Sequence, residues 1–231
     1  MVRRLAAGLV TKLLIVNADD FGASPGTNRG IIESHLRGIV TSTSLLVNAA
    51  ASAEATEMAE LAPELSVGLH ADLDGVDPGQ IAAALERQLD GFETLMGERP
   101  THLDTHHDTH RNPRAFPAVV EFARRHGLRL RGHARIRVCT KFYGQWGGEA
   151  HLEQISVAGL ERVLADVEDL VTELTCHPGY RDAALRTSYD AEREVEVRTL
   201  VDPAARDAVA RLGFRLISFH ELPGVPARSP A

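Results

Sequence analysis

Short apolar runs alternate with helical stripes along almost the whole chain, and this alternation restricts its fold more than any other feature. Leu13-Leu14-Ile15-Val16 is a run of the kind that parallel sheets bury on both faces. Ser24-Pro25 then reads as N-cap and first helical residue. Ile31, Ile32 and His35 or Leu36 form one face, and Gly38 stops the helix. Residues 39–47 predict a second strand, 50–61 a helix and 65–73 a third strand. Ile81, Leu85, Leu89, Phe92 and Met96 recur at helical spacing, and Pro100 separates them from a strand at 101–106. Phe116, Val119, Val120 and Ala123 mark a helix closed by Gly127, with a fifth strand at 128–131. Residues 132–154 are Gly-rich and match no element. Leu160, Val163, Leu164, Val167 and Leu170 make a further stripe before a strand at 171–176. A polar helix over about 190–212, a strand at 214–218 and a flexible, Pro-rich tail from about 222 complete the pattern.

Strands that alternate with helices predict an α/β fold with a parallel sheet. The count suits an irregular (β/α) barrel with about seven parallel strands better than an open sheet of five or six. At 231 residues, one domain spanning 1–231 buries enough surface to need no staple, and no linker composition divides it.

Composition excludes several function classes. A net charge of −7 gives no general attraction to nucleic acid or an anionic membrane. The apolar stretch at residues 5–10 is shorter than the ~7–15 residues of a secretory core, and no run approaches the ~20 of a membrane span. Cys139 and Cys176 are too few for a disulfide framework and suit a reducing compartment, so a cytoplasmic location is expected. A homodimer is compatible with all of this.

The chemistry gathers at strand ends. Asn17-Ala18-Asp19-Asp20 closes the first strand, His70 the third, His106 and His107 the 101–106 strand, and His177 follows Cys176. In parallel α/β folds these ends converge on one face, where active sites form. Imidazoles and a carboxylate with an open position suit zinc or a related divalent ion that activates water. Alternation along a strand gives Asp19 and Asp20 different roles, one on the metal and one on the water. Alternation also puts His102, Asp104 and His106 on one face, with His102 about 13 Å below the mouth at ~3.3 Å per residue. Asp104 is therefore a candidate partner for a ligand histidine. His35, His126, His151 and His220 are expected at the surface or at helix ends.

At these residues the chain resembles the YdjC-like (ChbG-type) carbohydrate deacetylases. The resemblance rests on residues 14–22, Gly38-Ile39-Val40-Thr41-Ser42-Thr43-Ser44, Val67-Gly68-Leu69-His70, residues 101–107 and Cys176-His177-Pro178-Gly179. It implies an irregular (β/α) barrel similar to that of polysaccharide deacetylases. It also implies one divalent ion, Zn²⁺ or Mg²⁺, on Asp20, His70 and His106, with Asp19 as general base and His177 as the acid. Arg131 looks like the arginine that orients the base. The implied substrate is an acetylated sugar of the N-acetylglucosamine type.

The chain departs from the family pattern in two places: His106-His107-Asp108 stands where a third histidine is common, and the connection at 71–79 is short. A short connection predicts a low wall, with Phe142, Tyr143 and Trp146 from the Gly-rich segment either covering the mouth or packing on the barrel. Two rival readings stand beside deacetylation. A barrel metallophosphoesterase would use His107, Asp108 and His110 for further metals, and a non-catalytic sugar-binding protein would keep only the fold.

Overall fold

From Leu14 to its end the first strand is fully buried, because neighbours pair along both of its edges. The computed structural model describes residues 11–133 and 136–222. Along the chain run β1 (Lys12–Phe21), α1 (Pro25–Leu36), β2 (Ser42–Leu45), α2 (Ser52–Glu60), β3 (Ser66–Ala71), α3 (Ile81–Met96), β4 (Leu103–Thr105) and α4 (Phe116–His126). There follow β5 (Arg137–Cys139), β6 (Gln145–Trp146), β7 (Glu149–Ala150), α5 (Val157–Ala165), β8 (Val171–Cys176), α6 (Ala191–Val201), α7 (Pro203–Arg211) and β9 (Phe214–Leu216).

Seven strands form one parallel sheet in the order β4-β3-β2-β1-β8-β5, with β9 beside the start of β1. The fifth strand expected at 128–131 shrinks to a single parallel bridge from Leu130 to Leu103, because the chain turns away at Arg131. Among the described residues no pairing joins that bridge to β5, so the sheet curls without closing. β5 itself lies in the segment that matched no element, since three residues are too few to carry a period.

The local rules hold where they have a mechanism. Ser24 accepts a hydrogen bond from the Thr27 N–H at 3.1 Å, and Pro25 opens α1. Ile31 and Ile32 are buried, but Leu36 is 64% exposed and is not part of that face. The polar helix expected over 190–212 is two helices. Asp202 leaves the helical region and caps α7 by accepting from the Ala204 N–H, with Pro203 as its first residue. No described helix is long and apolar enough to cross a membrane. The apolar stretch at 5–10 and the tail beyond Leu222 lie outside the described residues.

Candidate active site

The mouth is organised by a bulge near the end of β1. Asn17 and Ala18 pair with Ser42 and Thr43, but Phe21 pairs with Leu45, so Asp19 and Asp20 together oppose Ser44. Asp20 takes a left-handed φ of 70°, uncommon for a residue with a side chain. Simple alternation would send one of the two carboxylates away. The bulge instead puts both in a cavity of about 370 Å³ at the C-terminal ends of β1, β3, β4 and β8.

Asp20 Oδ1 lies 3.4 Å from His70 Nε2 and 4.0 Å from His106 Nε2. The other nitrogen of His70, Nδ1, lies 2.6 Å from Asp104 Oδ1, so the partnership expected of Asp104 is present. Burial opposes charge on His70, yet Asp104 and then Asp20 outweigh it and raise its pKa well above the ordinary value. Burial also opposes charge on Asp20, but His70 and Arg193 hold its carboxyl well below the usual range. One carboxylate oxygen facing two imidazole Nε2 atoms, with an anion behind His70, is a donor set that fits a divalent cation.

Two other trios bring their ligand atoms all within 4.8 Å of one another. The first is Asp19, His70 and Asp104, but Arg131 and His70 Nδ1 occupy those carboxylates. Asp74, His106 and His107 form a second, more exposed group.

Arg131 gathers the remaining acids. It gives Asp19 two hydrogen bonds of 2.6 Å, one to each oxygen, and its Nε donates to Glu173 at 2.7 Å. Its Nη2 also lies 2.7 Å from Asp104 Oδ2. Burial pushes the Glu173 carboxyl up to about 7, against the pull of Arg131. Across the cavity His177 Nε2 stands 4.0 Å from Asp19 Oδ2. Its enclosed position lowers the pKa of His177 despite the nearby aspartates, and its Nδ1 is buried without a hydrogen bond.

The residues singled out from the sequence thus share one cavity, with Asp104 just behind it. His102 does not reach it: its ring stacks on Phe219 at 3.8 Å and fills the place of a side chain at Gly68, where a Cβ would lie 2.3 Å from it. Burial lowers the pKa of His102 to about 4, so it is neutral packing. His110 turns inward to Thr105 at 2.7 Å.

Sequence reasoning missed Arg193, Tyr189 and Glu196. Arg193 Nη2 lies 2.5 Å from Asp20 Oδ2, and Nε donates to the Tyr189 carbonyl at 3.1 Å. Glu196 accepts from the Tyr189 hydroxyl and from the His177 N–H. All of these lie on or just before α6, in a stretch the sequence marks only as a polar helix. Of the Gly-rich aromatics, Phe142 is core, Tyr143 lines the cavity, and Trp146 stacks on His151 at 3.6 Å, away from the lining. The connection at 71–79 is not a bare low wall. It brings Asp74 Oδ2 to 3.3 Å from His106 Nδ1.

A family model described as YdjC-like protein matches residues 13–79 and 73–211. The chain belongs to this YdjC-like family. It is 34% identical to a chitooligosaccharide deacetylase of Serratia marcescens, over 91% of this chain and 99% of that one. That alignment spans 256 residues, more than this chain has, so the relative carries segments absent here. The family match divides at 73–79, inside the short connection after β3. Among solved structures, an Enterococcus faecalis V583 protein named for cellobiose-phosphate cleavage superposes with a TM-score of 0.81 at 27% identity, covering 91% of this chain and 98% of that one. A family 4 carbohydrate esterase from Streptomyces lividans gives 0.58 at 10% identity, over 91% and 95%, a likeness of fold.

Proposed function

We propose that this YdjC-like protein is a metal-dependent hydrolase that removes the acetyl group from an N-acetylated sugar or oligosaccharide. The observation that carries the reading is Asp20 Oδ1 flanked by the Nε2 atoms of His70 and His106, with Asp19 and His177 on the same cavity. The name of the Serratia relative supports the substrate class.

Asp20, His70 and His106 are the residues that would hold the ion. When bound, a divalent ion supplies Lewis acidity to water and to the acetyl carbonyl. Asp19 takes the proton from the attacking water. Arg131 grips both Asp19 oxygens, which fixes the orientation of the carboxylate that serves as base. His177 gives a proton from Nε2 to the departing amine, and its N–H bond to Glu196 fixes the chain at that point. Tyr143 and Tyr189 stand edge-on to the His177 ring at 5.8 Å and form an apolar wall suited to a sugar face.

A metallophosphoesterase reading is less well supported. His110 turns to Thr105 and does not line the cavity that holds Asp20, so one of the three additional ligands that reading needs is not there. Release of acetate from a panel of N-acetylated mono- and oligosaccharides, with phosphate monoesters in parallel, tests the proposal. Acetate without phosphate is the expected result, and phosphate alone would contradict it.

A further inference from the structure

The two imidazoles that face Asp20 are supported differently. Behind His70 stands the buried Asp104, on the neighbouring strand. Behind His106 the Nδ1 atom is buried yet has no aligned hydrogen bond, and the carboxylate oxygens near it are Asp74 Oδ2 at 3.3 Å and Asp72 Oδ1 at 4.0 Å.

The segment bearing Asp74 is fixed in place. Leu73 is 2% exposed and anchors it in the core. Gln88 of α3 clamps Asp72 by accepting from its N–H at 2.8 Å and donating to its carbonyl at 2.7 Å. Asp72 in turn accepts from the Asp74 N–H at 3.0 Å. On the opposite side, His107 and Asp108 take left-handed φ values of 54° and 52°. This sharp turn sets the His107 ring against that of His106, with centroids 3.7 Å apart, so that both Nδ1 atoms face the same Asp74 oxygen. Two consecutive side-chain-bearing residues in that region are strained and persist only where the surroundings impose them.

We infer that Asp74, carried by the short connection after β3, is the positioning residue of His106. Its carboxylate, 3.3 Å from Nδ1, favours the tautomer with the proton on that nitrogen and leaves the Nε2 lone pair toward Asp20. The inference rests on the reading of His106 as a metal ligand. Asp74 thereby gives His106 the support that Asp104 gives His70, from a connection where the family match divides. His107 is the competitor for the same carboxylate, at 2.7 Å, and lies outside the ligand set.

Calorimetric titration of the metal-free protein with Zn²⁺ tests this in four chains: wild type, Asp74→Ala, His107→Ala and His106→Ala. Asp74→Ala is expected to weaken Zn²⁺ binding about 10–100-fold, the usual effect of removing a carboxylate behind a ligand histidine. His107→Ala is expected to bind as wild type or more tightly, because Asp74 is then left to His106. In the metal-free protein, imidazole nitrogen shifts are expected to show His106 protonated at Nδ1 in wild type and in mixed tautomers in Asp74→Ala. Unchanged affinity in Asp74→Ala, or an equal loss in His107→Ala, would overturn the inference while the ligand reading stands. Full Zn²⁺ binding by His106→Ala would overturn the ligand reading itself, and the inference with it.

Discussion

Arg193 of α6 reaches Asp20 at the end of β1, and its Nη2 lies 2.5 Å from Oδ2 while Oδ1 faces the two histidines. The side chains are 6% and 9% exposed, so each charge depends on the other. Removing one partner of a buried pair costs about 3–5 kcal/mol. Arg193→Ala is expected to lose about that much at pH 7 in the metal-free protein. The Asp20 carboxyl is held low in the native fold, so its charge contributes stability above the ordinary carboxylate value near ~4 and loses it at more acid pH. The deficit of the variant should therefore shrink toward acid pH. A divalent ion should restore part of it by supplying the missing positive charge. Urea melts with and without the ion check this, and equal stability of variant and wild type would contradict it.

In the proposed reaction the two aspartates of the bulge divide the work. Asp19→Asn keeps the shape that Arg131 grips but removes the base, so turnover should fall by about 10²–10⁴ with metal affinity nearly unchanged. His70→Ala should lose metal and activity together. Kinetics paired with a metal-binding titration separate the two, and equal metal loss in both variants would reverse the assignment.

Glu173 sits in the middle of β8 with its carboxyl pushed up to about 7 by burial. A carboxyl that holds its proton more tightly when folded stabilises at low pH, and that contribution is lost as pH rises through the folded value. Glu173→Gln keeps the neutral form throughout. Its stability relative to wild type should improve between pH 4.5 and pH 8 by on the order of 3 kcal/mol. Melts at the two pH values measure this, and a flat difference would show that Glu173 keeps an ordinary pKa.

Much of the frame was legible in the sequence because periodicity and capping are local. The expected strand at 171–176 is β8, and the stripe from Ile81 to Met96 is α3. The convergence of Asp20, His70, His106 and His177 followed from strand ends alone. What escaped depended on partners far along the chain. The bulge at Asp19-Asp20 exists only in register with β2. Arg193 and Glu196 read only as part of a polar helix because nothing local shows that α6 packs over the mouth. Glu173 did carry a signal, a lone charge in an otherwise uncharged strand. The support of His106 by Asp74 needed the positive-φ turn at His107, which no propensity announces.

The aromatics of the Gly-rich segment separate by position. Tyr143 lines the cavity and stacks on Tyr189 at 4.4 Å, whereas Trp146 packs on His151 in the small hairpin. Tyr143→Ala should lower kcat/KM for acetylated sugars by roughly tenfold, about the loss of one aromatic contact of 1–1.5 kcal/mol. Trp146→Ala should stay within about twofold. A substrate panel run on both variants decides, and a larger effect at Trp146 would place the hairpin over the mouth.

An activity titration tests whether a single catalytic ion binds at Asp20, His70 and His106. Metal-stripped protein receives increasing divalent cation while acetate release from an N-acetylglucosamine oligosaccharide is recorded. No turnover is expected without the ion, then a linear rise that saturates at one ion per chain. Full activity in the stripped protein, or saturation only at two or three ions, would contradict it.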